Sequence, residues 1–366
     1  MSKAAELAAL IGGQKALGHK NLVKNGAMVV AQRATSASGD TTGTVRTVDR
    51  MNPEISSAGT WTQSQSTDVP SGQGFVNSYK LDCTTADASL SAGDVLIVGY
   101  RMEGIELQRL NYGTSGAKNT VLSFWVKTNK TGNYVVQFQN IRSTIRTCSL
   151  LYTVSSANTW QKVEFPIPAD TAATFDNDNL LSGILYWWLA SGTTYTSGTL
   201  NTTWADRVDA NNAAGLNVNL ADSTDNEWYI TGIQLEEGDV ATPFEHRSFG
   251  DELLACRRYT YKAIAGSAYG HFGGGYAASA TTAYANIPLP VEMRSNPSVT
   301  ANGTFRNYAH DGNKPITTNP TVLNAGSTTM FSTQATSSGG GMTAGDFIFL
   351  TANNDADAFL LLDAEL

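Results

Sequence analysis

The sequence predicts an all-β fold with two β units and very little helix. Short segments that alternate apolar and polar residues recur from about residue 25 to the C-terminus, separated by clusters of Gly, Asn, Ser and Asp. No stretch of about 10 to 15 residues between these segments has a strong helical period, which argues against βαβ units and favours antiparallel pairing. Only 15% of the 366 residues are charged and 34 are Gly, a composition that fits a β-rich chain.

Charge and hydropathy exclude several classes of protein. The net charge is -8 and no block of Lys and Arg occurs, so binding to nucleic acid or to an anionic membrane would act against the overall field. Glu6 interrupts the only candidate for a secretory signal core, so we expect no signal peptide. The longest apolar run, Ile184 to Ala190, is far shorter than the roughly 20 residues needed to span a bilayer, so we expect no membrane insertion.

The first β unit is predicted as an antiparallel sandwich that ends near Leu235. Within Val121 to Lys127 the apolar residues fall on every second position, as they do around Tyr134 to Phe138, and Gly and Asn between the two segments suit a tight hairpin. Four more predicted strands complete the unit: Val95 to Tyr100, Val163 to Ile167, Leu180 to Ala190 and Trp228 to Leu235.

A helix is predicted between the two units, over residues 248–258. Ser248 and Asp251 form a capping box at its start, and Arg257 and Arg258 lie at its end, where the helix dipole favours cations. Residues 259–366 then form a smaller C-terminal β tip domain. Its predicted strands are Tyr269 to Phe272, Tyr284 to Leu289, Thr328 to Ser332, Phe347 to Leu350 and Phe359 to Leu362. Because this domain has few charges and little evident core, we expect it to pack against copies of itself.

The N-terminal residues 1–22 are predicted to form a helical arm. Ser2 can cap a short helix that runs to Ile11 and carries an apolar stripe of Leu7, Leu10 and Ile11. Such a short helix is not stable alone in water. The arm is either a frayed terminus or an anchor whose stripe is covered by a partner chain. The three cysteines, Cys83, Cys148 and Cys256, have neither disulfide nor zinc spacing, so we predict buried free thiols.

Three stretches of the chain resemble one known family. Residues 21–33 begin Asn-Leu-Val-Lys-Asn-Gly, and residues 121–132 contain Val-Leu-Ser-Phe-Trp-Val-Lys. Residues 232–259 contain Gly-Ile-Gln-Leu-Glu-Glu-Gly and Ala-Thr-Pro-Phe-Glu-His-Arg-Ser. Together these stretches are similar to phage tail fibre and adhesin proteins that carry a carbohydrate-binding-module-like jelly-roll domain, as in cyanophages and related marine phages.

The resemblance, which covers roughly residues 21 to 300, implies a jelly-roll sandwich over residues 23–247. It implies a virion structural protein, a tail fibre or adhesin subunit that mediates attachment to a host cell-surface polysaccharide. It further implies a homotrimer, attachment to other virion proteins through the N-terminal arm, and location in the virion after synthesis in the host cytoplasm. The alternatives are a capsid or tail decoration protein without a ligand and, third, a glycan depolymerase.

Aromatic residues with polar neighbours are the candidates for glycan binding, because the C-H faces of a pyranose stack on π systems. Two tryptophans lie in polar stretches of the sandwich, and two aromatic clusters lie in the Gly-rich C-terminal domain. The candidates are Trp61, Trp204, Tyr269, His271, Tyr276, Tyr308 and His310. Each has a structural alternative: the tryptophans can belong to the core, and the C-terminal clusters can pack along a trimer axis. The sequence leaves open whether glycan binds the sandwich or the tip.

No motif for catalysis or for metal binding is evident. There is no Gly-x-Ser-x-Gly sequence, and the four histidines share no metal-ligand spacing. We therefore predict no enzyme activity and no cofactor. Modules of the family sometimes hold a structural calcium ion, and a calcium ion stays an open alternative here. The two acidic clusters, Asp176 to Asn179 and Asp222 to Asn226, lack the spacing of a calcium loop.

Overall fold

A computed structural model describes residues 19–142, 144–310, 312–322, 327–337 and 339–366. Contacts between residues divide the chain into two compact units, one ending at Phe249 and the other beginning at Gly250. The regular secondary structure of both units is almost entirely β-strand, and the predicted all-β fold, a jelly-roll sandwich followed by a smaller β domain, is confirmed. The helix predicted over Ser2 to Ile11 lies outside the described residues.

The first unit is a sandwich of two six-stranded antiparallel sheets. The order in one sheet is β1 (Ser36–Asp40), β3 (Thr60–Ser66), β4 (Ser78–Thr85), β12 (Glu227–Glu237), β6 (Thr120–Thr128) and β9 (Gln161–Ile167). The order in the other is β11 (Ala205–Asp206), β8 (Arg146–Val154), β7 (Gly132–Asn140), β10 (Leu181–Ser191), β5 (Val95–Glu103) and β2 (Met51–Ser56). The connections include short helices α1 (Gly104–Leu107) and α2 (Thr193–Thr196) and 3-10 turns at Gln108–Leu110, Asp209–Asn211 and Leu220–Asp222.

Large aromatic side chains fill the space between the two sheets. Trp61 from one sheet and Trp187 from the other are fully buried in the same apolar cluster, together with Trp228. Trp188 follows Trp187 on β10 and therefore points to the opposite face of the sheet. It is also buried, in a separate small cluster with Ala213. Both members of the tryptophan pair are thus packing residues.

Residues 19–22, at the end of the predicted arm, are part of the sandwich. The side chain of Asn21 is buried, and its amide donates to the Ile233 carbonyl at 3.0 Å. Its Oδ1 accepts from the backbone N–H groups of Val23 at 2.9 Å and Leu235 at 3.0 Å. The Leu22 N–H also donates to the Leu235 carbonyl, at 2.8 Å. This segment is therefore held by the last strand of the sandwich.

The second unit begins within helix α3 (Phe249–Arg257) and contains a three-stranded sheet and a closed barrel. The helix lies where the sequence predicted one. The order in the small sheet is β13 (Thr260–Ile264), β21 (Phe359–Asp363) and β16 (Ser298–Asn302). The order around the barrel is β14 (His271–Ala277), β15 (Thr282–Pro288), β19 (Met330–Ser337), β18 (Gly312–Val322), β17 (Phe305–Ala309) and β20 (Phe347–Ala352), which pairs again with β14.

The barrel has an apolar core of its own. Small side chains such as Ala277, Ala285 and Ala309 lie among Phe305 and Phe331, all of them buried. Alanine suits inward positions because few strands enclose a narrow interior. The packing between copies was expected because the sequence shows little evident core in this domain. Since the barrel does have a core, that reason for packing between copies is weaker. No helix among the described residues has the length and apolar character needed to cross a bilayer.

The three thiols are expected to be unreactive in the folded protein. Cys83, Cys148 and Cys256 are all buried, and Cys83 and Cys148 are free thiols. Burial raises the pKa of Cys148 to about 12 and that of Cys83 to about 11. The nucleophile is the thiolate, so at pH 8 only about one Cys83 in a thousand is reactive.

With a chromogenic disulfide reagent, we expect no reaction of the native chain at pH 8 and reaction of three thiols in denaturant. Rapid modification of a thiol in the native chain at that pH would contradict the burial of that residue.

Candidate functional site: an aromatic face on the barrel

Strand pairing brings three separate parts of the chain together on the outside of the barrel. Strand β20 lies between β14 and β17. Tyr276 on β14 lies opposite Phe347 on β20, and Tyr308 on β17 lies opposite Phe349 on β20. Side chains alternate between the two faces of a strand, and these four are exposed while their neighbours fill the core. The register therefore forms one continuous surface of rings.

We call this surface the aromatic face and define it by its exposed rings. Phe347 and Phe349 meet edge to face with ring centroids 4.8 Å apart, and His271 meets Phe349 at the same separation. Phe347 is 60% exposed and Tyr276 is 53% exposed. The members of the aromatic face are Tyr269, His271, Tyr276, Tyr308, His310, Phe347 and Phe349. A contiguous exposed apolar patch of this kind marks a surface for a ligand or a partner.

A hollow of about 430 Å³ opens within the aromatic face. Its lining consists of Tyr308, Ala309, His310, Gly345, Asp346, Phe347 and Phe349. Asp346 accepts a hydrogen bond from the Thr343 N–H at 2.9 Å, and the same carboxylate oxygen lies 3.7 Å from Nδ1 of His310. The hollow thus combines apolar ring surfaces with a carboxylate and an imidazole, the groups that can orient the hydroxyls of a sugar.

Gly274 leaves room for one of the rings. A Cβ atom at this position would lie 3.1 Å from Cζ of Phe347, closer than an ordinary van der Waals contact. The absence of a side chain lets the Phe347 ring lie close to β14. The contact accounts for glycine at position 274 of β14.

The structure brings together all of the site residues that were predicted in the C-terminal domain. Tyr269, His271 and Tyr276 lie in or beside β14, and Tyr308 and His310 lie at β17. The sequence does not single out the two phenylalanines of β20 as site residues. Phe347 and Phe349 alternate with Ile348 and Leu350, so the segment reads as a strand buried on both faces. Only its pairing with β14 and β17 shows that one side of it is exposed.

The two predicted tryptophans are placed differently. Trp61 is fully buried, and its indole N–H donates to the Ala58 carbonyl at 2.7 Å. It offers no ring face to a ligand, which corrects the expectation for this residue. Trp204 is half-buried, donates to the Pro168 carbonyl at 2.7 Å, and packs edge to face on Phe138 with centroids 5.3 Å apart. Its indole nitrogen and much of its ring are thus engaged within the sandwich.

The two acidic clusters of the sandwich are paired with cations. Nη2 of Arg142 donates to both carboxylate oxygens of Asp178, at 2.9 and 2.8 Å, and Lys130 binds Asp222. Burial acts to raise the pKa of Asp222, but hydrogen bonds from Lys130 and Asn226 outweigh it and hold the pKa below its usual value. In the described part of the chain, no group of three or more His, Cys, Asp and Glu residues is placed to hold a metal ion.

A second, smaller hollow of about 130 Å³ lies on the sandwich. The residues that line it are Glu54, Val95, Ile97, Gln139, Tyr186, Trp188, Tyr195 and Arg207. The Tyr186 hydroxyl donates to Glu54 at 2.9 Å, and Arg101 binds the same carboxylate oxygen at 3.1 Å. We call this the sandwich groove. Of its other polar groups, Arg207 binds Asp209 at 2.8 Å and Gln139 donates to Gln137 at 2.5 Å. The Trp188 side chain is buried, and its indole N–H has no hydrogen-bond partner among the described residues.

No family model matches this chain, and no curated protein matches it either. Among solved structures it is similar to the enzymatically active domain of tailspike protein 4 of bacteriophage CBA120, with 11% identity and a TM-score of 0.33, over 60% of this chain and 22% of that one.

It is also similar to a putative sugar binding protein from Bacteroides thetaiotaomicron, with 12% identity and a TM-score of 0.32, over 60% of this chain and 100% of that one. A xylan-binding domain from CBM 22 matches with 11% identity and a TM-score of 0.30, over 58% of this chain and 99% of that one.

Proposed function

We propose that this chain is an attachment subunit of a phage tail fibre or adhesin, and that the aromatic face of its barrel binds a cell-surface glycan. The observation that carries the proposal is the convergence of rings from β14, β17 and β20 on one exposed surface around the hollow. Loops and strand ends on a rigid scaffold commonly carry recognition. The virion role rests on the sequence resemblance described above.

The aromatic face suits sugar better than the sandwich groove does. Its hollow is about 430 Å³ against about 130 Å³, and it exposes the ring of Phe347, whereas Trp188 of the groove is buried. A pyranose can lie on an exposed ring while Asp346 and His310 meet its hydroxyls. A shallow site of this kind gives weak binding. We expect a dissociation constant of about 1 mM, which corresponds to a binding free energy of about -4 kcal/mol. Assembly as a homotrimer would raise the avidity for a repeating polysaccharide by about a hundredfold.

The composition of the hollow favours binding without hydrolysis. Among the described residues that line it, Asp346 is the one carboxylate. Glycoside hydrolysis uses a pair of carboxylic groups about 5 to 9.5 Å apart. We therefore propose non-catalytic recognition. Attachment is then reversible, and its avidity comes from several copies of the chain that bind the polysaccharide at the same time.

Binding of the purified chain to a panel of immobilised bacterial surface polysaccharides tests this proposal. We expect saturable binding to at least one polysaccharide and its loss in a variant that carries Tyr308→Ala and His310→Ala. The matched control carries Tyr195→Ala and Arg207→Ala in the sandwich groove and should bind as the parent chain does.

Three results would count against the proposal. The absence of binding to every polysaccharide would favour a decoration protein, and loss of binding only in the control would place the site on the sandwich. Release of new reducing ends would favour a depolymerase. Imaging of the chain in place on a particle tests the virion role separately.

A further inference from the structure

One cation on the aromatic face is held between two of its rings. The guanidinium carbon of Arg306 lies 4.4 Å from the centroid of Tyr269 and 5.1 Å from that of Tyr308. Its Nε donates to Oγ1 of Thr351 at 3.0 Å. These contacts fix the plane of the guanidinium through cation-π attraction and one hydrogen bond, and they use none of its four terminal N–H groups.

No carboxylate within the described residues pairs with Arg306, whereas several other arginines of this chain have such a partner. Arg101 binds Glu54 at 3.1 Å and Arg146 binds Asp170 at 2.9 Å. Acidic residues outnumber Lys and Arg by 32 to 24, so the chain has enough carboxylates to pair with every arginine. Arg306 is half-buried beside the two rings, and no described residue accepts a hydrogen bond from its terminal N–H groups. A positioned guanidinium fork of this kind matches the two oxygens of a carboxylate or a sulfate.

The carboxylate of the hollow lies at the other end of the strand from this arginine. Asp346 is beside His310, four residues beyond Arg306, which is about 13 Å along an extended chain. A ligand that spans the face therefore meets a cation at one end and a carboxylate with its imidazole at the other. The two ends do not compete for the same group of the ligand.

We infer that the aromatic face selects an acidic glycan, in which a carboxylate or sulfate of one sugar binds Arg306 while a neighbouring ring stacks on Tyr308 or Phe349. This inference rests on the proposed glycan binding and names the class of glycan. Recognition of the oxyanion is local, because the net charge of the whole chain, -8, repels anions at long range. The preference should therefore persist in salt that screens the long-range field.

Two pairs of oligosaccharides test the inference with the full chain. One pair is oligogalacturonate and its methyl ester, in which esterification removes the negative charge of the carboxyl group. The other pair is carrageenan oligosaccharide and its desulfated form, which isolates the contribution of sulfate. We expect the charged member of at least one pair to bind about tenfold more tightly than the neutral member, and the responding pair identifies the oxyanion.

Arg306→Gln should remove this preference and reduce binding of the charged probe to the level of the neutral one. Arg306→Lys keeps the charge but loses the fork and should recover only part of the preference. The matched control is Lys262→Gln, which removes a cation that lies 4.2 Å from the ring of Phe359 on the small sheet. It should leave the preference intact. Thermal unfolding of each variant verifies that the barrel is folded.

Equal binding of charged and neutral probes, with no effect of Arg306→Gln, would overturn this inference and leave the glycan proposal standing. The inference would also be overturned if Lys262→Gln abolishes the preference as completely as Arg306→Gln does. The preference for the charged probe would then depend on net charge and not on Arg306. Absence of binding to all four probes would overturn the inference, whereas the polysaccharide panel decides the glycan proposal independently.

Discussion

Replacing Trp61 with Ala should lower the free energy of unfolding of the sandwich by about 3 to 5 kcal/mol, the usual cost of removing a large buried aromatic side chain. Trp61 is fully buried between the two sheets, and its indole N–H is satisfied by the Ala58 carbonyl at 2.7 Å. The change leaves a cavity in a close-packed core that can collapse only in part. Denaturant unfolding, followed by the fluorescence of the remaining tryptophans, measures the loss.

The control for this experiment is Trp61→Phe, which retains most of the apolar volume and should cost clearly less. Glycan binding by the folded fraction should be unchanged in both variants, because the barrel has a separate core. A loss of stability below about 1 kcal/mol would contradict the burial of this residue. Loss of glycan binding in a folded Trp61→Ala chain would instead place the binding site on the sandwich.

The central strands of the sandwich could be predicted because their apolar periodicity is strong. The sequence predicts strands at Val121 to Lys127 and Leu180 to Ala190, and the structure has strands at Thr120–Thr128 and Leu181–Ser191. Both are flanked by strands on either side, so each buries many apolar side chains. Such segments carry the pattern on which sequence-based prediction depends.

Strand β3 was missed because a polar residue occupies one of its inward positions. Gln63 is buried, and its amide donates to Oδ2 of Asp40 at 2.5 Å and to the Val45 carbonyl at 2.6 Å. The Tyr79 hydroxyl donates to Oε1 of Gln63 at 3.0 Å. A buried amide whose hydrogen bonds are all made is tolerated in a core, yet a hydropathy pattern reads it as solvent-exposed.

The barrel strands were harder to predict because several of their residues have a low propensity for β-strand. Strand β18 contains Pro315 and Pro320, and β14 contains three successive Gly residues. Both residue types are unfavourable in a central strand. Closure of the barrel supplies a hydrogen-bonded neighbour on each side, which compensates for weak propensity. The strand predicted at residues 269–272 therefore begins two residues before β14 and ends five residues before the end of β14.

The candidate site was only partly predictable for a related reason. The sequence identified two aromatic clusters, around Tyr276 and around Tyr308, because glycine and polar residues surround them. It could not show that the strand containing Phe347 lies between the two clusters, since that adjacency depends on pairings far apart in sequence. Nor could it show that Arg306 has no acidic partner within the described residues, because ion pairs depend on tertiary distance.

Replacing both Phe347 and Phe349 with Ala should reduce glycan affinity by about thirtyfold while the barrel stays folded. Each exposed ring contributes about 1 kcal/mol by stacking, and two rings therefore contribute about 2 kcal/mol. The side chains point outward, so their removal leaves the core intact. Binding to the polysaccharide identified by the panel, measured by biolayer interferometry, provides the affinity of each variant.

The matched control replaces Ile264 and Met330 with Ala, two exposed apolar residues of the same unit outside the aromatic face. The control should bind as the parent chain does, because general surface hydrophobicity is reduced in both variants but ring surface is lost in only one.

If both double variants lose affinity equally, adhesion is non-specific. If neither loses it, the rings of β20 do not touch the glycan. If the Phe347 and Phe349 variant binds normally but no longer forms the oligomer of the parent chain, the aromatic face is a contact between copies, as the sequence analysis left open for its aromatic clusters.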